Sequence, residues 1–183
     1  MNRSRRCVYA GSFDPVTRGH LYLIEQGSQM FEELIVAVGS NPTKRYTFSL
    51  DERLAFLRGC TAHLANVRID QFAREFLVHY AQRMQAGYLL RGMRSAADYE
   101  FERTMRYVNG DLDAGITSVF LMPPRELAEV SSSFVKGLVG PDGWEPVVQR
   151  YVPDPVFAAF VRMWGDGKAA PPDGASLVSR PGS

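Results

Sequence analysis

Five short apolar runs of strand-like composition alternate with stretches of helical period, and this alternation restricts the fold more than any other feature of the chain. The strand-like runs lie at residues 7–10, 34–39, 67–69, 88–90 and 118–122. They lack the polar-apolar alternation of a half-exposed sheet, so they read as buried on both faces and therefore parallel. Between the first two, Leu23, Ile24, Gly27, Met30 and Phe31 share one helical face. Ser49 and Glu52 form a capping-box pattern that opens a second helix with Leu54 and Leu57 on its apolar face. The pattern predicts a third helix over residues 72–84, a fourth after Asp98, and a fifth led by Ser131, Ser132 and Ser133. Strand-helix repeats of this kind imply right-handed crossovers and a Rossmann-like, doubly wound α/β fold with a five-stranded parallel sheet, helices on both faces and a helical C-terminal segment. Ligands of such sheets bind beyond the carboxyl ends of the strands.

A chain of 183 residues fits one domain, assigned here to residues 1–164. Residues 165–183, rich in Gly, Pro and Ser without apolar period, read as a disordered tail. Lys and Arg number 21 against 20 Asp and Glu, which gives no overall drive toward nucleic acid or membrane. Two cysteines, Cys7 and Cys60, form no CxxC pair, so a zinc site or redox couple is not expected. No apolar run is long enough for a signal peptide or a membrane span, and a cytoplasmic location is expected.

The loops after the strands hold the chemistry. The first strand runs into Gly11-Ser12-Phe13-Asp14-Pro15-Val16-Thr17-Arg18-Gly19-His20, a glycine-bearing turn that opens a helix. A helix N-terminus offers unpaired N–H groups and partial positive charge, so this turn is an anion site carrying a hydroxyl and an imidazole; the alternative is a tight turn with Thr17 as a simple cap. It matches neither GxGxxG nor a P-loop. Arg91 and Arg94 flank Gly92 and Met93 after the fourth strand, where guanidinium forks suit phosphate, unless they are solvated surface. Lys44 follows the second strand. Asp98 and Glu102 share a helix face that Glu100 does not, which reads as a charge bias opening a helix rather than a metal cluster. No Ser-His-Asp or Cys-His relay is evident.

The turn through His20 resembles the first signature of nucleotidyltransferases carrying the (H/T)xGH motif, and its wording is close to the bacterial phosphopantetheine adenylyltransferases. The resemblance continues through Asn41-Pro42-Thr43-Lys44-Arg45, Phe48-Ser49-Leu50-Asp51-Glu52-Arg53, the block from Leu90 to Glu102, Ser118-Val119-Phe120-Leu121-Met122-Pro123 and Ser131-Ser132-Ser133-Phe134-Val135-Lys136, spanning residues 7–160 in order. It implies transfer of AMP from ATP to 4′-phosphopantetheine, giving dephospho-coenzyme A and pyrophosphate by direct in-line attack. The resemblance makes His20 a donor at the α-phosphate and puts Ser12 beside it, with Lys44 and Arg91 on the acceptor phosphate. Phe13, Gly92, Met93, Arg94, Glu102, Leu127, Ser131, Ser132 and Ser133 would serve the nucleotide, and Leu77, Met105 and Asn109 the pantetheine arm. It further implies magnesium held by substrate phosphates and water, with no protein metal ligands, and a homohexamer. Leu127 and Glu129 stand where family members often carry Trp and Phe, and the region of residues 72–79 needs one extra residue to align. These departures fall on the parts that choose substrates, so a sibling enzyme with another acceptor or nucleotide is the alternative.

Overall fold

The computed structural model describes residues 5–41, 43–112 and 115–165; the segment expected to be a tail lies, from residue 166 onward, outside the described residues. All five expected strands form: β1 (Arg6–Gly11), β2 (Glu33–Ser40), β3 (Val67–Ala73), β4 (Tyr88–Gly92) and β5 (Thr117–Leu121). They make one sheet, every pair parallel, in the order β3-β2-β1-β4-β5. Seven α-helices are described: α1 (Arg18–Met30), α2 (Leu50–Thr61), α3 (Leu77–Arg83), α4 (Ala96–Leu112), α5 (Ser132–Leu138), α6 (Glu145–Val148) and α7 (Asp154–Trp164). A 3-10 turn, Arg125–Leu127, lies between β5 and α5.

The central strands are buried on both sides, which is why their sequences do not alternate. Cys7 and Tyr9 of β1 face a core shared with Leu23 and Ile24 of α1, Leu57 of α2, Val135 of α5, and Val156 and Phe160 of α7. Val8 and Ala10 face the opposite layer, against Val78, Tyr80 and Ala81 of α3. Trp144 packs edge-on to Phe157 and Phe160, and Trp164 lies against Phe160, so both tryptophans anchor the C-terminal helices. No helix among the described residues is long and apolar enough to cross a membrane.

The third helix is shorter than its apolar spacing suggests. Residues 72 and 73 belong to β3, where Ala73 pairs with Ser40 and the ladder takes up their backbone groups. Arg74, at φ 58°, then turns the chain outward, and the helix starts only at Leu77. Phe72 still stacks on Tyr80 at 4.8 Å between ring centroids, which reproduces a helix-like contact from a strand.

The chain winds outward from β1 to β3 and then returns to β4 on the other side of β1. The reversal falls between β1 and β4, and their carboxyl ends, Gly11 and Gly92, open there a crevice between the loops.

Candidate active site

A cavity of about 360 Å³ occupies this crevice. Tyr9 and Gly11 of β1 and Ser12 just after it line the cavity, with His20 and Leu23 from α1, Arg91 and Gly92 from β4, and Arg94 from the loop that follows. Asp98 and Glu102 of α4, Leu127 of the 3-10 turn, and Ser131, Ser132 and Ser133 complete the wall. Gly19 lets the turn before α5 come close to α1, since a Cβ there would stand 3.2 Å from the carbonyl oxygen of Val130.

His20 has a defined tautomer. Thr17 caps α1, and His20, the third residue of that helix, closes a capping box by reaching back to it. Thr17 N donates to His20 Nδ1 at 3.1 Å, so Nδ1 is an acceptor and carries no proton. The Thr17 hydroxyl lies 2.9 Å from the same nitrogen. The proton of the neutral ring is therefore on Nε2, the nitrogen left to the cavity. Burial, with the Arg94 guanidinium adding to it, pushes the His20 pKa from 6.5 down to about 4. Near neutral pH the imidazole is an uncharged N–H donor. Phe13 lies beneath it, edge-on at 5.2 Å and 1% exposed, and supports the ring without lining the cavity.

Both arginines of the β4 loop are held by carboxylates. Arg91 Nε donates to both oxygens of Glu102, at 2.9 and 2.8 Å, and its Nη1 donates to the Ala10 carbonyl at 3.3 Å. Arg94 Nε donates to Asp98 at 3.1 Å. The shared face of Asp98 and Glu102 thus pairs with two arginines across the cavity wall, while Glu100 pairs with Arg103 outside it. The helix-opening charge bias read from the sequence is a guanidinium-orienting face. Among the described residues no group of three His, Cys, Asp or Glu is placed to hold a metal ion.

A second cavity, of about 340 Å³, adjoins the first and shares Ala10, Gly11, Ser12 and Arg91 with it. Lys44, Tyr46, Phe72, Arg74 and Leu77 line its outer part. Ser12 and Arg91 therefore stand where the two cavities meet, with Lys44 on one side and His20, Arg94 and the serines on the other.

Curated relatives share this chain over nearly its whole length. The phosphopantetheine adenylyltransferase of Chromobacterium violaceum is 56% identical over 162 residues, covering 88% of this chain and 99% of the relative. The chain belongs to the bacterial phosphopantetheine adenylyltransferase family. The enzyme of that name from Neisseria meningitidis is 58% identical over 156 residues, covering 85% of this chain and 92% of the relative. A family model described as Cytidylyltransferase-like matches residues 8–137. The fold is also that of a Plasmodium falciparum nicotinic acid mononucleotide adenylyltransferase, with a TM-score of 0.62 at 14% identity over 87% of this chain and 95% of that one. A nicotinate-nucleotide adenylyltransferase structure from Vibrio parahaemolyticus shares it at a TM-score of 0.59 and 15% identity, over 92% and 99% of the two chains.

Most residues carried over from the family's motifs line one cavity or the other, but four do not. Besides Phe13, Met93 lines not these cavities but a hollow of about 260 Å³ with Tyr99, Arg103 and Tyr107, which shares Glu102 with the first cavity. Met105 and Asn109 are half-buried on α4 and line neither cavity. Leu127 lines the first cavity, whereas Glu129 is exposed and outside its wall. Sequence reading gave no role to three residues that brace the loops. Arg53, 1% exposed, donates from Nη1 to the Ser12 carbonyl at 2.8 Å and lies 4.1 Å above the Tyr46 ring. Asp14 and Lys136 are joined at 3.0 Å. A charged residue inside a recognised motif is the only signal that could have pointed to them, and it does not say what they touch.

Proposed function

We propose that this chain is a pantetheine-phosphate adenylyltransferase, transferring AMP from ATP to 4′-phosphopantetheine with release of pyrophosphate. The observation that carries the proposal is the pair of adjoining cavities meeting at Ser12 and Arg91. Two anionic substrates need separate seats and one shared wall. The names and 56–58% identity of the relatives support ATP and phosphopantetheine as the occupants.

In this reading the triphosphate lies along His20, Arg94, Ser132 and Ser133, and the acceptor phosphate is held by Lys44 and Arg91. An acceptor oxygen attacks the α-phosphorus in line, a P–O bond forms, and the α–β bridge breaks to release pyrophosphate. An acceptor phosphomonoester is already ionised near neutrality, so no general base is required. The neutral His20 Nε2–H donates to the oxygen on which charge builds, and Ser12 supplies a second donor beside it. Arg91, its fork fixed by Glu102, presents its remaining N–H groups toward the acceptor side.

The magnesium complex of ATP is taken as the substrate. Asp98 and Glu102, the carboxylates of the nucleotide-side wall, are engaged by arginines, and the other polar side chains there are arginines, hydroxyls and the neutral His20 imidazole. This donor set suits an ion carried on phosphate and water, where it neutralises the leaving pyrophosphate.

The chain is further proposed to form a homohexamer in the cytoplasm. Supporting the assembly, the 17-residue α4 has Glu102 as its buried residue, while Tyr99, Phe101 and Tyr107 are each more than half exposed. Light scattering on the purified chain tests it.

The activity is tested by pyrophosphate release with magnesium, offering ATP, CTP, GTP and UTP in turn, with and without 4′-phosphopantetheine. Release is expected only with ATP and phosphopantetheine together. Release with another triphosphate, or only with another phosphorylated acceptor, would move the chain to a sibling activity and tie the change to the departures at Leu127 and Glu129 or to those in the region of residues 72–79.

A further inference from the structure

We infer that Asp14 is a positioning residue that couples the two half-sites, so that filling the nucleotide cavity prepares the acceptor loop. This rests on the proposed function for the identity of the ligands, but its geometry does not.

The Asp14 side chain is 4% exposed and lies between Ser12 and His20 in the β1–α1 loop. Its Oδ1 accepts from Phe48 N at 2.8 Å, and Oδ2 accepts from Thr47 N at 3.0 Å and from Lys136 Nζ at 3.0 Å. Thr47 and Phe48 belong to the β2–α2 loop, which carries Lys44 of the acceptor side. Lys136 belongs to α5, whose first turn carries Ser132 and Ser133 of the nucleotide side. One carboxylate thus gathers donors from both loops at once.

Neighbouring bonds follow the same plan. Ser132 Oγ donates to the Pro15 carbonyl at 2.8 Å, and Arg53 donates to the Ser12 carbonyl. None of these bonds belongs to the sheet ladder or to a helix's own ladder; each joins one loop of the site to another segment. Three donors suit an ionised carboxylate, an acceptor at both oxygens. Asparagine in the same place would turn an NH₂ group toward either the Phe48 N–H, or Thr47 N–H and the Lys136 ammonium, donor against donor. Because the loops share an anchor, a displacement of α5 on binding the triphosphate tail is transmitted to residues 43–48. That is coupling through a contiguous set of contacts, and it is reciprocal.

The test uses the full chain and the variants Asp14→Asn, Lys136→Met and Lys136→Arg. Hydrogen exchange at residues 43–48 is followed with and without ATP and magnesium. In wild-type protein ATP alone should slow exchange there; in Asp14→Asn it should not, and Lys136→Arg should retain the effect. In steady-state kinetics Lys136→Met should raise KM for ATP about ten-fold with KM for phosphopantetheine moving less than about two-fold. Asp14→Asn should raise both and lower kcat/KM about ten- to a hundred-fold, the range expected when a group is misplaced by about an ångström. Thermal melts establish that each variant is folded, and Lys136→Gln takes the place of Lys136→Met if that variant is not. Exchange at 43–48 that ignores ATP in wild-type protein would overturn the inference, as would variants that lower only the melting temperature. Wild-type pyrophosphate release, measured alongside, reports on the proposed activity alone. If ATP is not the nucleotide, the exchange arm is read with whichever of the four triphosphates binds. Faster exchange at both 43–48 and 131–136 in ligand-free Asp14→Asn is required in every case.

Discussion

Replacing His20 with alanine separates catalysis from stability, because the two ring nitrogens do different work. On the proposed reaction Nε2 donates to the developing charge, and loss of one such donor lowers kcat by about 10²–10³, or about 2.7–4 kcal/mol of transition-state stabilisation. Nδ1 accepts from Thr17 N and closes the cap of α1. Loss of that acceptor costs about 1 kcal/mol, which for a chain of this size lowers the melting temperature by about 2–4 °C. The variant should therefore fold near-normally and turn over hundreds of times more slowly. The pH dependence sharpens the test. In the folded chain the His20 pKa is lowered from 6.5 to about 4, so the unfolded chain binds a proton between these values that the folded chain refuses. The contribution of this group to stability is full above about pH 6.5 and is lost as pH falls toward 4, by up to roughly 3 kcal/mol. His20→Ala should lack that part of the acid destabilisation. Turnover, in contrast, should have the same pH profile in both proteins from pH 5.5 to 8, since the group titrating there is the acceptor phosphate, with a pKa of about 6. The measurements are pyrophosphate release at saturating substrates and melting curves across pH. Near-normal turnover in His20→Ala, or a wild-type inflection near 6.5 that the variant lacks, would refute the assignment of His20 as a neutral donor.

Glu102→Gln should free Arg91 from its bidentate partner and raise KM for the acceptor by about ten-fold, with a smaller change in KM for ATP, measured in steady-state assays with each substrate varied in turn. Gly27→Val should strain the contact of α1 with the sheet, since a Cβ there already stands 2.8 Å from Leu90 Cδ2 and 3.0 Å from Leu34 Cδ2. Overpacking of that kind costs about 1–3 kcal/mol, and a melting temperature lowered by about 2–10 °C with KM values unchanged is expected.

The sheet was legible in the sequence because burial on both faces leaves a plain signature: unbroken apolar runs such as Leu34–Val38, bounded by turns. The place of the cavities was legible because a doubly wound sheet opens its crevice at the strand ends, and Ser12, Arg91 and Lys44 line them there. What escaped depends on contacts between distant segments. Nothing local tells Phe72 that β2 will take its backbone into a ladder, so its spacing to Phe76 and Tyr80 looked helical. The pairing of Arg91 with Glu102 and of Asp14 with Lys136 spans 11 and 122 residues, and such partners are fixed by loop geometry rather than by pattern. The cap formed by Thr17 and His20 lay in plain view, yet its consequence for the imidazole proton needed the position of Nδ1.

The two cavities open into each other through Ala10, Gly11, Ser12 and Arg91. On the proposed reaction, two ligands enter separately and each gives up its own freedom of translation and rotation. The bond made at their junction joins the adenylyl part of one to the other as pyrophosphate leaves, and for that product the second half is already tethered at high effective concentration once the first is seated. A site built to join its two guests is thereby a strong host for the joined product. Release of that product is a step of its own, separate from the chemistry, and product accumulating around the enzyme occupies both seats at once.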